Sequence, residues 1–154
     1  MQKPVYNVLY VLPEPSTSFV RPPVLQRVPA ALESPTRLII SCRMKSEGQS
    51  IAVELHFIKP LANARYSLFA VPDFASVAYD KVVEFPDSDW LLEVKARIKS
   101  RPTKIATSDL RHLAVMFDDG PYYEFICRDF AHLRRSEEPE STRPEPRLTN
   151  EPEG

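Results

Sequence analysis

Residues 116–130, MFDDGPYYEFICRDF, hold the densest set of reactive groups in the chain. Asp118, Asp119, Glu124 and Asp129 supply carboxylates, Cys127 a thiol and Arg128 a fixed cation. Two carboxylates converging on one small volume can do general acid–base chemistry, because each charge shifts the other's proton affinity. A thiol beside His112 or His132 would make a nucleophile, provided a base or a positive field lowers its pKa. The local pattern argues against both. Asp118 and Asp119 run into Gly120, and Asp-Gly signals a short hairpin turn because both residue types tolerate positive φ. Pro121 suits the start of the returning strand, where a missing donor does least harm. On that strand Glu124 and Arg128 share a face but stand roughly 13 Å apart, too far for a direct pair. Cys127 joins Tyr123 and Phe125 on the opposite face, an apolar setting that favours the neutral thiol. Asp129 falls on that opposite side too, near the strand end.

Other candidates are sparser. Cys42 shares a face with Leu38, Ile40 and Met44, and reads as a second core thiol. Two cysteines about 85 positions apart make neither a disulfide scaffold nor a zinc site. His56, His112 and His132 match no HxH or HxxxH ligand spacing. With three glycines there is no GxGxxG, P-loop or GxSxG, which excludes nucleotide chemistry through the usual loops. No metal and no cofactor are expected. Lys95, Arg97, Lys99, Arg101 and Lys104 form the single basic patch. It could touch phosphates, but no aromatics interleave with it, and a solvated helix end explains it more simply.

The elements that position these groups follow from periodicity. Residues 5–12, VYNVLYVL, read as a strand. Residues 37–44 and 50–58 alternate, with Leu38, Ile40, Cys42 and Met44 facing Ile51, Val53, Leu55 and Phe57 across a loop at Gly48, an antiparallel hairpin. Ala52, Glu54 and His56 fall on the other, polar face. Residues 65–71 and 76–85 read as two more strands around Pro72, and 110–118 with 122–130 as a final pair. The period changes at PDSDWLLEVKARIKS. Asp87, Ser88 and Asp89 are cap candidates, Trp90 or Leu91 with Val94 and Ile98 makes one apolar face, and Pro102 stops the helix, giving a helix over about 88–100. The fold class is α+β, a mainly antiparallel sheet of about five to seven strands with that one principal helix packed on a face.

Proline marks the ends. Of 16 prolines, seven lie in 1–35 and four in 136–154. Residues 13–35 therefore read as a proline-broken linker or loop, making 1–35 an N-terminal strand plus arm and 36–135 the globular domain. Residues 136–154 hold six Glu against two Arg and little apolar surface, the composition of a disordered acidic tail. A net charge of −1 exerts no general pull on nucleic acid or membrane. The apolar run at 8–12 is too short to span a bilayer and lacks a basic flank and cleavage site, so a cytoplasmic setting with free thiols is expected.

The helix start PDSDWL followed by LRHLAVMFDDGPYYEFICRDF resembles a group of short uncharacterised bacterial proteins. In these a Trp-Leu helix precedes a strand pair carrying a Glu after an aromatic. The resemblance spans roughly residues 50–130 and implies an α+β domain, with no functional residues to carry over.

These readings favour a non-enzymatic cytoplasmic binding module acting on a protein partner, in the manner of an immunity or antitoxin protein. The alternative is an enzyme or small-ligand-binding protein using Glu54, His56, Glu124 and Arg128 on a polar sheet face. Weak nucleic-acid binding through residues 95–104 ranks below both.

Overall fold

The computed structural model describes residues 4–29, 36–102, 104–118 and 121–137. The strands are β1 (Asn7–Val11), β2 (Phe19–Val28), β3 (Arg37–Ser46), β4 (Gln49–Ile58), β5 (Ala62–Tyr66), β6 (Lys81–Glu84), β7 (Arg111–Met116), β8 (Tyr122–Cys127) and β9 (Asp129–Glu137). The principal helix is α1 (Asp89–Lys99), and short 3-10 turns occupy Ser16–Ser18, Leu68–Ala70 and Ala75–Ala78. The fold is α+β and mainly antiparallel, with its strands divided between two sheets ordered β1-β6-β7-β8-β5 and β2-β3-β4-β9.

The core lies between the sheets. Leu38, Ile40, Cys42 and Met44 of β3 sit opposite Phe57, Leu55, Val53 and Ile51 of β4, so the register presents all eight on one face. The five-stranded sheet answers with Val82, Leu113, Val115, Tyr123, Phe125 and Cys127. Phe57 and Phe125 stack across the gap with ring centroids 3.7 Å apart. The β3–β4 turn is only Glu47-Gly48, both with positive φ (50° and 77°), which matches the strand twist and lets the ladder run to Ser46 and Gln49.

Sequence and structure part company in four places. Residues 19–28, expected as part of a linker, form β2 and pair with β3. Pro22 and Pro23 are tolerated because β2 is an edge strand and its register shifts around them. Residues 65–71 and 76–85, expected as strands, are largely 3-10 turn; ordered ladder survives only in β5 and β6. Positive φ at Asp80 (57°) gives the sharp entry into β6. The strand expected over 122–130 ends early, at Cys127, and a further strand follows it. The chain crosses from β8 in one sheet to β9 in the other at Arg128, and β9 pairs with β4 from Asp129 to Glu137. Its exposed outer side concealed that strand in the sequence pattern. Ser136 and Glu137 thus belong to β9, while the remainder of the acidic tail lies outside the described residues, as do Asp119 and Gly120 of the expected turn.

Phe57 is fully buried against Phe125, so Phe57→Ala should lower unfolding free energy by about 3–5 kcal/mol. Val24→Ala, on exposed β2, should change it by no more than ~0.5 kcal/mol. Urea denaturation followed by tryptophan fluorescence measures both.

Candidate functional site

The four side chains expected on one polar face do not meet. Glu54 and His56 lie on the outer face of the four-stranded sheet, Glu124 on the outer face of the five-stranded sheet, and the core separates them. His56 is 7% exposed; Arg37 Nη1 donates to its Nδ1 at 3.2 Å and Glu54 Oε1 stands 3.7 Å from its Nε2. Arg128 sits at the crossing between sheets. It donates to the Asp109 carboxylate and, at 3.2 Å, to the Ala106 carbonyl, pinning the loop that leads into β7. That hydrogen bond is the main reason Asp109 is held below the usual carboxylate range. Arg128 is therefore a structural clasp.

The basic residues do not share one side of α1: at about 100° per residue Arg97 points away from Lys95 and Lys99, and Arg101 and Lys104 lie beyond the helix end. Arg97, Lys99, Arg101 and Lys104 are exposed and Lys95 half-buried, and Arg97 donates to Glu93 one turn earlier at 2.5 Å.

The thiols are core groups. Burial pushes both Cys42 and Cys127 up to about 12. Arg111 pulls Cys127 the other way, but desolvation wins. His132 stacks on Tyr10 at 4.1 Å and His112 faces the other side of β7, so neither activates Cys127. Asp118 is engaged too: its amide donates to Ser16 Oγ at 2.6 Å and its Oδ1 accepts from Tyr79 at 2.8 Å.

What the structure does assemble is on the outer face of β7 and β8. α1 covers part of that face by packing Leu91, Val94 and Ile98 against Ile126, Leu110 and Ala62. The 3-10 turn at Ala75–Ala78 covers another part, over Val83, Ala114 and Tyr122. Between the two covers lies a pocket of about 650 Å³. Its floor is His112 and Glu124, diagonal neighbours on adjacent strands, since His112 pairs with Ile126 and Ala114 with Glu124. Asp87, Ser88, Asp89 and Trp90 at the start of α1 form one wall, and Tyr66, Phe74 and Phe85 the other; Pro4 and Val5 complete the rim with Pro72.

A continuous polar chain crosses the floor. Ser88, the N-cap of α1, accepts the Leu91 amide at 3.1 Å and lies 2.7 Å from His112 Nδ1. The Glu124 carboxylate on the Nε2 side favours the tautomer with its proton on Nε2, which leaves Nδ1 to accept from the Ser88 hydroxyl. That Nε2 faces Glu124 Oε1 at 3.6 Å, beyond hydrogen-bond range, and is a buried nitrogen without a partner. Tyr122 donates to the same Oε1 at 2.7 Å. Burial first, and this bond second, push the Tyr122 phenol up. Phe85 and Trp90 hold the imidazole ring from two sides, each with centroids 5.1 Å away.

Ser, His and a carboxylate in one chain suggest nucleophilic catalysis, but Ser88 Oγ is committed to capping the helix. The arrangement sets an imidazole and a carboxylate side by side on the pocket floor. Among the described residues no three His, Cys, Asp or Glu side chains gather as a metal site.

Ser88 and His112 were visible in the sequence only as a cap candidate and a stray histidine. The usable signal was the helix itself, which must bury any polar residue on the face it covers. Glu124 was placed correctly as outward from the core, yet it is 5% exposed, because that outer face is covered. No protein-family model, curated protein or solved structure matches the chain.

Ser88→Ala removes the cap and leaves Nδ1 unpaired, and should cost about 2–3 kcal/mol of stability, whereas Ser88→Thr should restore most of it. Urea midpoints measure the difference. The thiols set an alkaline limit. Their raised pKa means the native state keeps protons that the unfolded chain releases from pH 9.0 upward. Their contribution is thus complete below pH 9.0 and is lost as pH climbs to about 12. Unfolding free energy should fall over that interval, more gently in Cys42→Ala, and native protein at pH 8 should resist a thiol-specific disulfide reagent until denatured.

Proposed function

We propose that this protein binds a small polar ligand in the pocket between the start of α1 and the outer face of β7 and β8. One observation carries the reading. His112 is 2% exposed, its Nε2 has no hydrogen-bond partner, and it stands in the floor of a pocket. An unsatisfied buried donor costs roughly 1–3 kcal/mol, which a ligand acceptor seated there recovers. The size, the aromatic walls and the few convergent polar groups are those of small-molecule sites. The alternative use of Glu54, His56 and Arg128 as one groove is set aside because the fold separates them from Glu124.

A protein-partner role is the second reading, and Phe69 favours it. Its side chain is 99% exposed on the turn at Leu68–Ala70, between Tyr66 and Pro72 of the pocket rim. No helix among the described residues is long and apolar enough to cross a membrane, and buried free thiols accord with a cytoplasmic setting.

Screening a fragment library by amide NMR should move resonances of Ser88–Trp90, His112 and Tyr122–Glu124 together. Perturbations confined to the Phe69 turn, or to the β4 face around His56, would reject the pocket. Recovery of a stoichiometric protein complex lost in Phe69→Ser would support the partner role instead.

A further inference from the structure

The charge and shape of the pocket select a chemical class of ligand, an inference that rests on the pocket being a ligand site. Three carboxylates line it, Asp87, Asp89 and Glu124, and no lysine or arginine does so among the described residues. Besides the neutral His112 donor, the element among the described residues that would attract an anion is the N-terminus of α1. Its dipole amounts to about half a positive charge, and Ser88 Oγ already takes the Leu91 amide. Set against three carboxylates, that half charge loses, and the field in the pocket is negative.

The carboxylates differ in what they can do. Asp87 and Asp89 are exposed at the mouth, where they attract a cation over a distance of order one Debye length, ~8–10 Å. Glu124 is 5% exposed on the floor. Its Oε1 accepts from Tyr122, while its Oε2 takes no hydrogen bond among the described residues. A charge in that position is poorly screened and binds a counter-charge far more strongly than one in water.

The walls are aromatic. Tyr66, Phe74, Phe85 and Trp90 border the same space, and Phe74 meets Phe85 edge to face with centroids 5.3 Å apart. Ring faces attract cations through their quadrupole by ~0.5–2 kcal/mol each, and organic ammonium groups suit them better than metal ions because they are large and weakly hydrated. A neutral apolar ligand would leave Glu124 desolvated without compensation. An anion would meet it directly. The unpartnered His112 Nε2 adds a donor beside the carboxylate, fit for an oxygen on the same ligand.

We propose that the pocket binds an organic cation, an amine or quaternary ammonium compound bearing a hydroxyl or carbonyl oxygen, with Glu124 as counter-charge and the aromatic walls around the cationic head.

The test compares choline, its neutral isostere 3,3-dimethylbutan-1-ol, and benzoate by titration calorimetry and amide NMR on the full chain. Choline should bind at least tenfold more tightly than the isostere, shift Ser88–Trp90 and Tyr122–Glu124, and weaken as salt rises. Glu124→Gln, which keeps an acceptor for Tyr122, should reduce choline affinity tenfold or more. Phe74→Leu, at the half-open rim, provides a second reading in a variant whose fold is under little threat, and should weaken choline severalfold. Equal binding of choline and the isostere, or preference for benzoate, would overturn the cation class and leave the pocket standing as a ligand site. Failure of all three to perturb the pocket would count against both readings.

Discussion

Ser88 Oγ serves two masters. It accepts the Leu91 amide, which starts α1, and it holds His112 Nδ1 at 2.7 Å, which fixes an imidazole on β7. Helix and sheet are therefore joined by a polar bond at the same end where apolar packing of Leu91 against Ile126 joins them. The cap residue belongs to the helix in sequence and to the pocket floor in space. Glu124, facing Nε2 from β8, favours a proton on that nitrogen, which leaves Nδ1 to accept from the cap hydroxyl. Registry of helix on sheet and chemistry of the pocket are thus one constraint.

That constraint rests on an unusual use of β8. All six of its residues are buried, because the strand has the sandwich core on one side and the helix and 3-10 turns on the other. A strand in that position would normally be apolar throughout. Here Glu124 is retained, together with Tyr122 to hydrogen-bond it. A buried carboxylate with one neutral donor and an imidazole just out of reach destabilises the fold compared with an apolar residue of the same volume.

Much of the fold was legible. The β3–β4 hairpin, the core faces of β7 and β8, and α1 with its apolar face are all written in local periodicity, where side-chain alternation and turn chemistry decide. What escaped depended on tertiary context. Residues 19–28 become β2 although they contain Pro22 and Pro23, because an edge strand needs donors on one side only. Asp129–Glu137 becomes β9 through pairing with β4, while its own pattern is hidden by an exposed outer face. The site escaped for the same reason. Glu124 and the cap at 87–89 were both recognisable, but only the placement of α1 over β8 brings Ser88, His112 and Glu124 to a common floor. Arg128 had seemed its companion on spacing alone; the change of sheet at that residue turns it toward Asp109.

The two buried histidines show why context and not composition makes the site. Each has its Nδ1 engaged, its Nε2 buried without a partner, and a glutamate oxygen just beyond hydrogen-bond distance, 3.7 Å at His56 and 3.6 Å at His112. At His56 the Nδ1 neighbour is the Arg37 guanidinium, and the Glu54 side chain is 33% exposed. Water screens that carboxylate, and the adjacent cation offsets it, so little field remains to recognise a ligand. At His112 the Nδ1 neighbour is a neutral hydroxyl, and the Glu124 side chain is 7% exposed. With no lysine or arginine lining the pocket among the described residues, and little water, the same three-atom arrangement keeps the negative potential on which the proposed ligand reading rests.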